Sequence, residues 1–510
     1  MSRQIFFLIL LVLVLHIITV FTILKPHINP YIGDMMDKHM VYMVSKSIIE
    51  GDIQPSPYWN IGYPALLALT HKFGVPYITA ERWLSLPFSL LMLLLTFLVV
   101  MRLSDVKVAF FTCLAMSVSQ VFILKSIGAK DFMLSGALIL ASIVVFYNFS
   151  DENRNWRIIL YGLILGVAFT FRYISIYLLP VFIVYIFIIK GRRAGLYQSL
   201  YYTAGFIVGA LPQFSIATCE WGNPLYSENA KTIWFTINHI NDWARFLTTG
   251  GRFNIIGVFA DNPLGFIVNW VRSINAFITS FHLNPPLIYL SYAGLIVFLI
   301  KVKNNWFRFI IVALSIYLAI TFVYRAYSDY LLPVLPFLAF GGVWFIFRFI
   351  PERLERRRLG WFPIRFIIVV LVILYMFAYS YNRINRTDEA VVWEREAIRG
   401  VAEVLRDDGV DDPSVVLSTD LWYLYLPDAR ADLWEYDQVP FDMSEPDEAL
   451  EYAVRGGYHY LLLYDRYKDA YGDWDGLPER LMEMDLPYEF ELLLEMEDTR
   501  RRLELYRIME

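Results

Sequence analysis

Apolar residues in this chain gather into long runs broken by short polar turns, and a run of that length predicts a helix that crosses a bilayer. Most runs are about 17 to 22 residues long, the length that matches the hydrocarbon thickness. They fall at 5–24, 84–101, 108–124, 132–149, 157–171, 173–190, 199–218, 285–300, 306–323, 330–350 and 364–382. The pattern predicts a polytopic α-helical membrane protein with about eleven transmembrane helices. A hydrophobic share of 57% over 510 residues and a mean hydropathy of +0.47 exclude an ordinary soluble globule.

Loop charge orients the spans. The first run follows Met1-Ser2-Arg3-Gln4 and ends without a small-residue cleavage site, which reads as a retained signal anchor. With the N-terminus inside, the short inner loops carry Arg102 and Lys107, Arg154 and Arg157, Lys190, Arg192 and Arg193, Lys301 and Lys303, then Arg353, Arg356, Arg357 and Arg358. Each is basic, as the positive-inside bias requires. An odd number of spans then puts the C-terminus outside. Composition changes after Tyr381: from Arg383 onward 33 Asp and Glu face 14 Lys and Arg. The chain's net charge of −5 therefore conceals a basic membrane module, 1–382, and an acidic extracytoplasmic domain, 383–510. Cys113 and Cys219 suggest neither a disulfide framework nor a metal site.

Two outer loops, 25–83 and 219–284, are longer than the rest. The first contains a turn cluster, Gln54-Pro55-Ser56-Pro57, and an apolar piece from Ile61 to Thr70 that is too short to span and is expected along the interface. The second carries Trp221, Trp234, Trp243 and Trp270, and its stretch from Phe266 to Phe281 has the pattern of an amphipathic helix. The C-terminal domain reads as small α/β. It has a helix with apolar positions Val392, Ala397, Val401 and Leu405, strands at Ser414–Ser418, Trp422–Leu426 and Tyr458–Tyr464, and a helix at Asp447–Arg455. A closing hairpin pairs Tyr488–Glu495 with Arg502–Ile508. It holds no Gly-rich phosphate loop and no His/Cys cluster, so it is expected to serve as a lid or docking platform.

Candidate chemistry lies in the outer loops. Asp34 and Asp37 stand three apart in Gly33-Asp34-Met35-Met36-Asp37, a spacing that puts both on one face of a short helix. The plainer reading is a helix N-terminal acid. Short outer turns hold Lys125, Lys130 and Asp131, then Arg172, then Arg325, Tyr327 and Asp329, against the positive-inside bias. Each base alone fits a side chain snorkelling to water. Together with Lys38 and His39 they form a set suited to an anion, and a lipid phosphate is the anion available at that depth.

The run GDMMDKHMVYMVSKSIIEGD, followed by YWNIGYPALLAL, resembles the first outer loop of the GT-C glycosyltransferases, in particular the protein-mannosyltransferase and aminoarabinose-transferase-like group. KDFMLSGALIL, GLILGVAFTFRYISIYLLP, YRAYSDYLLPVLPFLAF and WEREAIRGVAEVLRDDGVDDPSVVLS fit later parts of that pattern, so the resemblance runs nearly end to end. The chain departs from it in two places. The Asp-Glu pair frequent in mannosyltransferases is here Asp34 with Asp37, and Ser328-Asp329-Tyr330 stands where Arg-Tyr is common.

The resemblance implies an inverting transfer of a sugar from a polyprenyl (dolichyl-type) phosphate to a hydroxyl acceptor on the outer face. Asp34 is the expected general base and Asp37 the runner-up. Arg172, Arg325 and Lys130 are the expected donor-phosphate ligands, with Asp131 organising them and Tyr58, Trp59 and Tyr327 in support. Trp221 is a further stacking candidate. An interfacial aromatic belt explains such rings equally well. Two acids without histidine make a weak metal site, so no cofactor is expected, and no nucleic-acid partner. The acceptor (protein, lipid or glycan) and the sugar stay open. A non-catalytic scaffold or sugar-binding protein is the alternative reading. A secondary transporter fits less well, because charges gather at span ends and not at the midplane.

Overall fold

A computed structural model describes residues 3–24, 32–33, 36–127, 130–146, 154–238, 254–279, 284, 287–301, 304–324, 328–349, 358–359, 362–385, 389–410, 415–418, 423–424, 437–438, 445–465, 477–484, 486–497 and 502–509. The helices run in order α1 Arg3–Leu24, α2 Met36–Glu50, α3 Gly62–Lys72, α4 Tyr77–Leu103, α5 Val106–Ser117, α6 Gln120–Lys125, α7 Lys130–Val145, α8 Asn155–Phe171, α9 Leu178–Trp221 and α10 Asn229–Ile237. They continue as α11 Ile255–Asp261, α12 Pro263–Thr279, α13 Leu287–Lys301, α14 Asn305–Tyr324, α15 Leu335–Phe349, α16 Ile364–Asn385, α17 Glu389–Asp407, α18 Pro446–Arg455 and α19 Leu477–Glu483. An apolar helix lies at each expected span. Five stretches among the described residues are long and apolar enough to cross a membrane, and α5, α7, α8, α13 and α15 are apolar but shorter.

The spans expected at 173–190 and 199–218 form one continuous element that breaks at Gly191, with φ 73°, a left-handed conformation that glycine adopts without a Cβ penalty. Phe182 meets Tyr202 across the break, ring centroids 5.8 Å apart, so the two arms fold back on each other. The run expected at 108–124 is also interrupted. α5 ends at Ser117 and α6 starts at Gln120, and side chains take up the exposed backbone groups: Ser380 Oγ donates to Val118 O (2.6 Å), and Asn284 Oδ1 accepts from Gln120 N (3.2 Å) while its Nδ2 donates to Met376 O (2.8 Å). In hydrocarbon, such a break persists only where freed groups find partners.

α8 and the second arm of α9 pack at backbone contact. A Cβ on Gly162 would lie 1.9 Å from Tyr202 O, one on Gly166 2.2 Å from Phe206 O, and one on Gly205 2.0 Å from Ile159 O. The two small-residue ridges, Gly162/Gly166 and Gly205/Gly209, interlock; close approach of this kind drives helix association where lipid and core are equally apolar. α13 and α15 repeat the device, since a Cβ on Gly294 would lie 1.9 Å from Gly341 O.

The short strands β1 Ile32–Gly33, β2 Arg358–Leu359 and β3 Phe362–Pro363 precede the C-terminal strands, β4 Val416–Ser418, β5 Tyr423–Leu424, β6 Asp437–Gln438, β7 Tyr460–Asp465, β8 Phe490–Glu497 and β9 Arg502–Ile508. The main sheet has the order β6-β4-β7-β9-β8, with β4 parallel to β6 and β7, and β9 antiparallel to β7 and β8. α17 buries Ala397, Val401 and Leu405 with Val416, Leu462 and Leu505 on one side, while Ala449 and Ala453 of α18 pack with Leu461 and Leu463 on the other. The expected helices, the strand near 460 and the closing hairpin are present, the hairpin with a bulge between Leu492 and Leu494. β6 and α19 were not expected. β5 lies outside this sheet and pairs with β1, Ile32 opposite Leu424 and Gly33 opposite Tyr423.

A Gly205→Ala substitution places its methyl against the Ile159 carbonyl and is expected to cost about 1–3 kcal/mol, read as a lower midpoint of thermal unfolding in detergent. An unchanged midpoint would show that the seam has slack.

Candidate functional site

Asp131 sits in the first turn of α7, where a carboxylate complements the free amides and positive dipole end of a helix. It is buried, at 1% exposure. Arg172 is the residue after α8, in extended conformation, its N–H donating back to Ala168 O at 3.1 Å. Its side chain reaches Asp131 with both arms of the fork: Nη2 donates to Oδ1 at 2.8 Å, and Nε lies against Oδ2. The guanidinium carbon stands 3.7 Å from the Phe132 ring centroid, 5.0 Å from that of Trp59 and 5.5 Å from that of Tyr330. Nη1 makes a longer contact, 3.4 Å, to Tyr330 Oη. A planar cation paired bidentately and walled by aromatic faces is held in one orientation, which a lysine ammonium would not be.

Asp131, Arg172, Trp59 and Tyr330 line a small open cleft, whose walls also include Tyr58, Asn60, Phe171, Tyr173, Ile174 and Asn229. Two chain segments are tied together across it. Gln213, buried on α9, accepts from Ile61 N (2.8 Å) and donates to Tyr173 Oη (2.8 Å), which donates to Tyr226 O (2.8 Å). Glu228 N donates to Pro57 O at 3.0 Å, and the Glu228 carboxylate accepts from Tyr226 Oη at 2.9 Å. Burial first, and then the Glu228 carboxylate, push the Tyr58 phenol up from its ordinary value. Burial lowers the Lys231 ammonium, and Glu228 opposes the shift. The Tyr63 phenol on α3 is pushed well up by burial and then by the carboxylates of Glu81 and Asp131.

The cleft thus brings together Asp131, Arg172, Tyr58 and Trp59 of the expected set. Trp221 stacks on Tyr226, ring centroids 5.1 Å apart, and does not line it. Asp37, Lys38 and His39 lie on the first turn of α2 and Lys130 opens α7; their side chains fall outside the described residues, as do Asp34, Arg325 and Tyr327. The piece expected along the interface is α3, with Tyr63, Pro64, Leu67 and Ala68 buried. The stretch expected as an amphipathic helix is α12, pinned by Trp270 Nε1 donating to Ala319 O (2.8 Å) and Asn269 Nδ2 to Val323 O (3.0 Å).

Tyr330, Gln213, Tyr173 and Glu228 were not among the expected site residues. Gln213 had a legible signal, a lone amide after Pro212 within an apolar run. Glu228 had none, because one acid in a polar loop is unremarked by any local pattern.

Arg172→Ala would leave Asp131 buried without its partner, and a loss of about 3–5 kcal/mol is expected, measured by chemical or thermal unfolding. Arg172→Lys should recover only part of it. Wild-type stability in Arg172→Ala would mean that water already screens the pair.

Residues 60–216 match the family model described as dolichyl-phosphate-mannose-protein mannosyltransferase. Comparison with curated protein sequences finds no match. Among solved structures, ArnT from Cupriavidus metallidurans in the apo state is similar with a TM-score of 0.51 at 12% identity, covering 97% of this chain and 97% of ArnT. The Archaeoglobus fulgidus oligosaccharyltransferase in the apo form is similar with a TM-score of 0.53 at 12% identity, covering 96% of this chain and 74% of that one. At these identities the structural likeness is one of fold.

Proposed function

We infer that this chain, PMT-like by its family match over residues 60–216 and GT-C-like in fold, is a multi-pass membrane glycosyltransferase that uses a polyprenyl-phosphate sugar. The observation that carries the reading is Arg172, a fixed guanidinium with its Nη1 toward the cleft, backed by a buried carboxylate and walled by aromatic rings. Such a group recognises a phosphate oxygen, and the matched family's description names a dolichyl phosphate donor. The bilayer supplies that donor from the side, while nucleotide sugars belong to the cytoplasmic compartment. On this reading the cleft, the loops 25–83 and 219–284 and the domain 383–510 face away from the cytoplasm.

The proposed reaction is a single displacement. The acceptor hydroxyl oxygen bonds to the anomeric carbon as the bond from that carbon to the phosphate oxygen breaks, so configuration inverts. The hydroxyl proton passes to the Asp34 carboxylate, with Asp37 as the alternative base. The departing phosphate changes from a monoanionic diester to a dianionic monoester, and Arg172, assisted by Lys130 and Arg325, stabilises the charge that builds up. Asp131 has both oxygens on Arg172, which favours a role in orienting that arginine over metal binding. Trp59 and Tyr58 offer faces to the sugar.

The test is transfer of label from polyprenyl-phosphate sugars in membranes that contain the native acceptor, with product identification. Asp34→Asn is expected to abolish transfer at normal abundance, and Arg172→Ala to slow it by roughly 10²–10³-fold per folded molecule. The product should carry the anomeric configuration opposite to the donor, as read by NMR. Full transfer by Asp34→Asn would remove it as the base, and retention of configuration would rule out the single displacement.

A further inference from the structure

α12 in the second long loop presents an apolar face outward. Leu264, Ile267, Val268, Val271 and Ile278 are exposed, Leu264 at 71% and Val271 at 54%, and their spacing by three, four and seven residues puts them on one side of the helix. Several of its hydrogen-bonding groups point the other way. Trp270 Nε1 and Asn269 Nδ2 donate to Ala319 O and Val323 O of α14, and Ser273 is buried. A helix resting in water would carry the opposite arrangement, polar side out.

The height of α12 follows from what holds it. Ala319 stands five residues before the end of α14, about 8 Å along the axis. Near the other end of α12, Phe277 meets Phe322 of α14, ring centroids 5.3 Å apart, and its carbonyl accepts from Tyr292 Oη of α13 at 3.2 Å. α12 therefore lies alongside the ends of two apolar helices, not above them. α14 is long and apolar enough to cross a membrane, and its exposed Val312 and Ile316 face lipid. Steps of four, three and four residues carry that stripe from Val312 through Ile316 to Ala319 and Val323, where α12 covers it. The apolar face of α12 thus continues a lipid-facing surface that ends one turn away. Asn269, Arg272 and Asn275 make α12 too polar for the centre of the hydrocarbon, whereas an arginine at the margin of an apolar face suits the headgroup boundary.

We propose that this face of α12 is a lipid-docking surface, lying in the boundary layer of the leaflet on the side where the cleft opens, with its apolar side chains against the acyl chains. The surface stands independently of the transfer chemistry. It holds the second long loop on the membrane: Asn262, just before α12, donates from Nδ2 to Asn238 Oδ1 at the end of α10 (3.0 Å), and α10 opens with Asn229 on the cleft wall.

The experiment uses spin labels in the full chain, reconstituted into bilayers of phosphatidylcholine and phosphatidylglycerol. Cys219→Ser removes the exposed thiol, and Cys113 is buried. Single labels are placed at Ile267→Cys, Val271→Cys and Ile278→Cys, with Val312→Cys as the lipid reference and the exposed Tyr488→Cys of the C-terminal domain as the water reference. Each replaced side chain is exposed, so no buried contact is lost, and any one α12 label carries the test if another variant fails to accumulate. Collision rates with oxygen, which partitions into acyl chains, and with a water-soluble nickel chelate are read from power saturation. The oxygen-to-nickel ratio on α12 is expected within about threefold of the Val312 label and at least about fivefold above the Tyr488 label. A ratio equal to that of Tyr488 places the face in water and overturns the proposal. Low collision rates with both reagents mean that protein covers the face, whether this chain or a second copy, and overturn it equally.

Discussion

The pairing of Arg172 with Asp131 is the constraint around which this end of the bundle is organised. A carboxylate at 1% exposure is costly without a hydrogen-bonded partner, and the guanidinium fork meets both of its oxygens while presenting two flat faces to aromatic rings. One pair thereby joins four parts of the chain: the N-terminus of α7 through Asp131 and Phe132, the end of α8 through Arg172, the first long loop through Trp59, and the turn before α15 through Tyr330. Phe132 and Tyr330 also meet edge to face at 5.2 Å, so the arginine lies in a walled slot and does not sweep through solvent. The consequence is electrostatic as well as mechanical. Arg172 is already neutralised on its Asp131 side, and the part of its field that remains available lies toward the cleft.

That placement depends on helix packing farther down. The seam between α8 and α9 has almost no side-chain thickness at Gly162, Gly166, Gly205 and Gly209, so the relative height of the two helices is set by backbone contact. Gln213 comes one turn after Gly209, and Arg172 six residues after Gly166. The seam therefore fixes the level at which Gln213 bridges Ile61 N and Tyr173 Oη. Through Tyr173 the same bridge reaches Tyr226 O and the second long loop. Small residues in the membrane thus govern polar geometry at its edge. A thicker seam would separate the helices and break the hydrogen-bonded chain that runs from Gln213 on α9 to Ile61, Tyr173 and, beyond it, Tyr226.

The parts legible in the sequence were those set by local patterns. Long apolar runs marked the helices, and strand alternation with a hairpin marked most of the C-terminal sheet. Bases and an acid out of place in short turns marked Asp131 and Arg172 before their contact was known. The parts that were not legible are set by tertiary contact. β6 is two residues long and too short to show a period. Glu228 and Tyr330 acquire meaning only from segments brought beside them, and the Tyr42–Glu81 bond joins residues 39 apart. The interruption at Val118 was hidden inside a run that reads as continuous, because the groups that satisfy it, Asn284 and Ser380, come from far along the chain. Gly162, Gly166, Gly205 and Gly209 stood in plain view as two small-residue ridges, but only their facing carbonyls show what they are for.

The acidic C-terminal segment raises the question of how a cationic cleft keeps its field in a molecule with 33 acids against 14 bases in its last part. Exposed charges farther away than about 8 Å are largely screened at physiological salt, and many of these acids are exposed or locally paired, as in Arg507 with Asp408 and Glu491 (2.5 and 3.0 Å). The Arg172–Asp131 pair lies among aromatic rings that exclude water, where screening is weak and nearby groups dominate. Local burial therefore outweighs net charge in setting the field at the cleft. The C-terminal segment meets the first outer loop through backbone instead: β5 pairs with β1 at Ile32 and Gly33, and the next residue in sequence is Asp34. An acidic domain tied in this way is joined by backbone hydrogen bonds to the loop before α2, without its charge reaching the arginine that faces the cleft.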